Sequence, residues 1–275
     1  MRFFRLSLVV TLGAVLIFTD APPSRAQTVN QRTSDPHAVA IVQQSLVAMN
    51  GAVAVADVSL SASVTSTAGS DIQSGTALLQ AKGTQESKVA LSLSDSSYTE
   101  IRNVSDGAPA GRYIDSNADS TAHALSLHNC FTEAAWFVPS LSDLASVLSD
   151  PNANLMYVGQ ESWDDKTVDH IRTWETVSSP DAAAVKLIAH LSTTDIYLDS
   201  ATHLPVAIKF ATHPAKDAKI DIPVEIRFDN YQQTSGLLLP MHIQKFLNGT
   251  LNLDFTMNSA EVNSGLPDSI FATNE

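Results

Sequence analysis

From Ile220 to Asp229 the apolar residues Ile220, Ile222, Val224, Ile226 and Phe228 alternate with Asp221, Pro223, Glu225, Arg227 and Asp229. A period of two over ten positions predicts a strand with one oily and one charged face. The alternation returns from Leu251 to Asn258, where Leu251, Leu253, Phe255 and Met257 interleave with Asn252, Asp254, Thr256 and Asn258. Two such strands predict an antiparallel sheet that is dry on one side and wet on the other. Ile196 and Leu198 lead into a turn at Asp199 to Leu204, after which Val206, Ile208 and Phe210 are expected on one face. His213 to Lys219 reads as a polar loop, and Leu155–Trp163 and Val168–Thr176 as a strand pair around Asp164-Asp165-Lys166. In the first half Val58, Leu60, Ala62 and Val64 alternate with Ser59, Ser61, Ser63 and Thr65. Turn clusters at Ala68 to Asp71, Lys82 to Gln85 and Asp106 to Gly111 then separate strands around Ala77, Leu91, Ile101 and Tyr113.

Helical spacing interrupts this meander three times, over 36–49, about 122–149 and 180–190. Asp35 can cap the first helix, Pro36 suits its first turn, and Asn50-Gly51 ends it. The alanine-rich run Ala122 to Ala135 predicts a second helix, and Ser140 a cap for a further short one with Leu141, Leu144, Val147 and Leu148 on one side. Ser179-Pro180 opens the last. Together the elements predict an α+β fold with a strongly curved antiparallel sheet.

Parity adds one detail of register. A two-residue turn at Asn248-Gly249 would place Gln244 and His242 on the face of Leu253 and Phe255, whereas a three-residue loop Leu247-Asn248-Gly249 places Met241, Ile243 and the Lys245 stem there. A bulged turn with Gly249 at positive φ is therefore expected.

The chain opens with Arg2 and Arg5, an apolar run Leu6 to Phe18, and the small-residue pattern Ser24-Arg25-Ala26. Residues 1–26 read as a secretory signal peptide, whose apolar run of 13 residues is too short to span a bilayer, and residues 27–275 as one domain. Loss of three arginines and one aspartate takes the net charge from −13 to −15. Such acidity argues against nucleic acid or anionic membrane surfaces as partners. A lone cysteine, Cys130, allows no internal disulfide, so packing must hold the exported fold together.

Chemical signatures are sparse. His123, His128 and Cys130 lie close together, but their spacing matches no structural zinc pattern, so no metal site is expected. No Gly-x-Ser-x-Gly elbow occurs, and His170, His203 and His213 stand beside no evident nucleophile. No Gly-rich phosphate loop or basic patch is present, and no cofactor or catalytic residue is indicated. Asp164, Asp165 and Asp199 read as turn formers.

The stretches Ile196-Tyr197-Leu198-Asp199, Thr202-His203-Leu204-Pro205, Ile226-Arg227-Phe228-Asp229-Asn230-Tyr231 and Gly236-Leu237-Leu238-Leu239-Pro240, with the closing Asn263 to Phe271, resemble bacterial outer-membrane lipoprotein-sorting proteins and the periplasmic lipoprotein carriers. The resemblance covers about 156–271. It implies an unclosed half-barrel whose apolar concave face is covered by helices and binds acyl chains. No lid residue of the carriers can be matched to a position here.

Three readings of function follow. One is a non-enzymatic periplasmic or secreted protein that binds a lipid or acylated protein between sheet and helices. Val224, Ile226, Ile243, Leu253 and Phe255 would then point into the cavity, with the Trp136-Phe137 cluster at its mouth or lid. If the helices instead fill the shell, those residues form an ordinary core, and a scaffold that binds other envelope proteins through a strand edge is the alternative. An exported hydrolase with a triad assembled from distant residues is the third. Oligomeric state has no signature in the sequence.

Overall fold

The computed structural model describes residues 34–273. The expected signal peptide, 1–26, lies outside them. Strands β1 (Asp57–Ala68), β2 (Asp71–Lys82), β3 (Glu86–Leu93), β4 (Ser97–Ser105), β5 (Ala108–Asp115) and β6 (Ala122–Ala124) form the first meander. A second comprises β7 (Ala153–Trp163), β8 (Lys166–Glu175), β9 (Thr194–Asp199), β10 (Pro205–Thr212), β11 (Ile222–Thr234), β12 (Leu237–Leu247) and β13 (Thr250–Val262). Pairing of β1 with β13 joins the two into one antiparallel sheet of 13 strands, in the order β6-β5-β4-β3-β2-β1-β13-β12-β11-β10-β9-β8-β7. The end strands β6 and β7 do not pair with each other, which leaves an unclosed half-barrel.

The predicted alternation appears in the burial. Val58, Leu60, Ala62 and Val64 of β1 face one core with Val224, Ile226 and Phe228 of β11 and Leu253, Phe255 and Met257 of β13. Helix α1 (Pro36–Asn50) adds Ala38, Ile41, Val42 and Met49 to that core. Asp35 caps it by accepting the His37 N–H at 2.8 Å, and Gly51, at φ 55°, closes it by donating to the Val47 carbonyl. The connection from β6 to β7 carries the chain between opposite edges of the sheet, and it buries Ala135 to Val138, Leu141, Leu144 and Val147 against the same core.

Several expectations change. No helix forms over 122–135: Ala122–Ala124 pairs with β5, and Leu127–Phe131 is a 3-10 turn. Here side chains compete with the helix for the backbone. The Thr132 hydroxyl and the Arg102 guanidinium both donate to the Asn129 carbonyl, and the Asn129 carboxamide bonds the backbone of His213. The helix expected from Ser140 shrinks to a 3-10 turn at Pro139–Leu141 and one turn of α2 (Asp143–Ser146), where the Ser142 hydroxyl accepts the Leu144 N–H. Helix α3 (Ala182–Leu191), capped by Asp181, buries only Leu191, so it does not line the core as α1 does.

Register slips explain the rest. A shift between Pro205 and Ala207 sends Val206 into a separate apolar cluster with Val168 and Tyr197, away from Ile208. Ile220 is exposed because β11 begins at Ile222, where pairing with β10 ends. The β12–β13 turn has two residues, Asn248 and Gly249 at φ 50° and 77°, not the expected three-residue loop. A shift just beyond Phe246 pairs Lys245 with Leu253 and Ile243 with Phe255. The facing is thus the one parity demanded, reached through a tight turn followed by a bulge within the ladder.

Candidate functional site

A cavity of about 280 Å³ opens beside the core, between β3–β4 on one side and β12–β13 on the other. Val89, Leu91 and Leu93 of β3 and Leu253 of β13 form its apolar wall, Trp136 packs against it, and Tyr98, Glu100, Asp115, Lys245 and Asn252 are among its polar groups. Strands β4 and β12 stand five places apart in the sheet, about 24 Å if it were flat at ~4.8 Å per strand. Their meeting at one cavity shows how strongly the sheet curls. Trp136 holds the middle of this arrangement: its ring meets Phe137 edge-on at 5.4 Å and lies 6.0 Å from Phe255.

Strand β4 inverts the usual pattern, turning Tyr98, Glu100 and Arg102 to the inner side and Ile101 to the outer. Their partners confirm the facing, since Leu91 pairs with Tyr98 and Val89 with Glu100. Arg102 donates from Nε to Glu100 at 2.7 Å, and from Nη1 to the Asn129 and Thr132 carbonyls and the Thr132 hydroxyl. Tyr98 donates its hydroxyl to the other Glu100 oxygen at 2.7 Å. Burial disfavours the Glu100 charge, but Arg102, Lys245 and the Tyr98 hydroxyl outweigh it and hold the carboxyl below its ordinary value. Burial, then the Glu100 charge, push the Tyr98 hydroxyl far up.

Lys245 is the unusual member. Burial pulls its ammonium below the ordinary lysine value, only partly offset by Glu100. The ammonium sits 4.8 Å from the centre of the Trp136 ring, a cation–π contact, while Arg102 takes the direct contact with Glu100. The lining carries carboxylates as well as the Lys245 cation, but Glu100 is already engaged by Arg102 and Tyr98 while Lys245 faces Trp136 beside the apolar wall, an arrangement that suits an apolar molecule with a negative end.

Of the residues expected to bind ligand, Trp136 and Leu253 line this cavity. Val224, Ile226, Ile243, Phe255 and Phe137 are brought into the same core but packed away from the opening, each at most 2% exposed. Tyr98, Glu100 and Lys245 were not expected as lining residues. Two signals marked them: Glu100 and Arg102 share one strand face, and parity placed the Lys245 stem on the oily side.

The histidines are spread over several arrangements. His123 bonds Asp119, His128 faces the Pro214 carbonyl, and the Cys130 thiol donates to the Ser126 carbonyl, so the three do not converge. His170 holds Glu161 on Nδ1 at 2.6 Å and Asp195 on Nε2 at 2.7 Å. With a carboxylate on each nitrogen, it has none left to activate a hydroxyl. His190, His213 and Asp221 do gather at one point. Among the described residues, no helix is long and apolar enough to cross a membrane.

No protein-family model matches the sequence, and no curated protein matches it. Solved structures do. An outer membrane lipoprotein-sorting protein domain from Vibrio parahaemolyticus superposes with a TM-score of 0.55 at 12% identity, covering 86% of this chain and 97% of that one. A DUF1329 family protein from Desulfovibrio piger gives 0.53 at 10% identity, covering 87% and 98%. The resemblance to the lipoprotein-sorting proteins therefore holds at the level of fold.

Proposed function

We propose that this protein is a non-enzymatic carrier or sensor of the bacterial envelope that binds the apolar part of a lipid or acylated protein in the cavity between β3–β4 and β12–β13. The observation that carries the reading is the pairing of an oily wall with the Lys245 ammonium beside Trp136. The fold shared with a lipoprotein-sorting domain supports it, as does the export signal read at residues 1–26, after which residues 27–275 would act as one domain. At about 280 Å³ the cavity lies just under the ~300–1,000 Å³ range of small-molecule sites, so it suits one chain end rather than a whole lipid.

The test uses a long-chain fatty acid and its methyl ester, which differ only in charge at one end. Wild type is expected to bind the acid more tightly, and Lys245→Met to bind the two alike. Native mass spectrometry and lipid extraction of protein from an envelope fraction should recover an anionic amphiphile. Protein that emerges clean, with a melting temperature that neither compound shifts, would rule the reading out.

A second reading, a scaffold that binds envelope proteins through a sheet edge, draws on β7. Ser34 and Asp35 pair with Leu155 at the start of that edge, while Met156 and Val158 beyond it are exposed. An exposed edge with apolar side chains can take a further strand.

A further inference from the structure

His190 stands in the last turn of α3, His213 just after β10 and Asp221 just before β11. One carboxylate oxygen, Asp221 Oδ1, lies 2.9 Å from His190 Nε2 and 3.1 Å from His213 Nε2. Ligand atoms at ~2.0–2.1 Å from a tetrahedral metal are about 3.3 Å apart, so both spacings to Asp221 are near those of a coordination face, and all three ligand atoms lie within 4.8 Å of one another.

His213 is the fixed point of the cluster. The His213 side chain is fully buried, and its Nδ1 has no hydrogen-bond partner. The His190 and His128 rings lie 5.7 and 5.9 Å from that of His213. Two imidazoles and a carboxylate are a set of ligand types that transition metals take. The backbone is also held in place: the Asn129 carboxamide accepts the His213 N–H and donates to its carbonyl.

We propose that His190, His213 and Asp221 form a binding site for a divalent transition metal of the zinc class. The two imidazoles bind through Nε2 and Asp221 through Oδ1. Hard cations such as magnesium and calcium prefer oxygen ligands, so a set of two nitrogens and one oxygen selects against them. His190 and Asp221 are each nearly half exposed, which leaves the fourth position to solvent or to a ligand from a partner. The bound ion would fasten the end of α3 to the loop between β10 and β11.

The test is zinc titration of the protein, purified without a polyhistidine tag, against a chromogenic zinc chelator. One zinc per chain is expected. Zinc at a hundred times its dissociation constant should raise the melting temperature by about 5–10 °C, and magnesium should not. His190→Gln and Asp221→Ala change exposed side chains, so both should fold and melt near the zinc-free wild type while binding zinc at least tenfold more weakly. His123→Ala, in the separate pair with Asp119, should bind zinc as wild type does. Failure of wild type to hold zinc at 100 µM, or unchanged zinc binding in both His190→Gln and Asp221→Ala, would overturn the assignment.

Discussion

Glu100 joins the two sides of the cavity, because its one negative charge serves both Arg102 and Lys245. Its carboxyl is held below the ordinary value in the folded chain, so its contribution to stability is fully present above the unfolded value of ~4.3. That contribution is lost as pH falls through the folded value. Glu100→Gln leaves two cations without their counter-charge and is expected to destabilise the protein at pH 7 by about 3 kcal/mol. Urea unfolding between pH 3 and 7 should show the gap between the two proteins narrowing as pH falls below the unfolded value, because the unfolded chain then takes up a proton that folded Glu100 resists. Parallel curves over that range would contradict this account. Asp195 adds to acid sensitivity in the same direction: burial opposes its charge, and Arg172 and His170 outweigh it.

Among the elements, the β12–β13 hairpin is where local geometry sets what the cavity contains. Its tight turn needs positive φ at both central residues, and the following bulge returns Lys245 and Ile243 to the core side opposite Leu253 and Phe255. Gly249 has open space around a would-be Cβ, so the penalty for a side chain there is conformational rather than steric. Gly249→Ala is expected to destabilise the protein by about 1 kcal/mol, read from denaturant midpoints with an unchanged slope. A change in slope would instead mean that the hairpin had slipped register. A one-residue slip would carry Lys245 to the outer face and leave the cavity without its cation.

For the whole molecule, the curl of an unclosed sheet leaves a space that the β6–β7 connection only partly fills. Leu93 lies at the end of β3, lines the cavity and is only partly buried, so Leu93→Trp can fill the space without disturbing the core. This variant is expected to keep the wild-type melting temperature within about 2 °C and to take up an apolar dye about tenfold more weakly, a change of ~1.4 kcal/mol. Ile72→Trp, on the exposed part of β2, should leave dye uptake unchanged. Equal dye uptake by wild type and Leu93→Trp would place the apolar binding surface elsewhere.

The sequence alone determined the features that depend on neighbouring residues. Period-two runs marked the strands of both meanders, Asp35 and Gly51 the ends of α1, and parity the facing of Ile243 and Phe255, because alternation, capping and pleat are settled within a few residues. Tertiary structure decided what depends on residues far apart. An alanine-rich segment became an edge strand and 3-10 turns because β5 offered a free ladder and Arg102 drew the Asn129 and Thr132 carbonyls. Val206 left its expected face because of a bulge at Pro205. Lys245 met Trp136 and Glu100 only because the sheet curls across five strands, and His190 met His213 and Asp221 because α3 ends beside the β10–β11 loop. Neither meeting has a fixed spacing along the chain, so no local motif could record it.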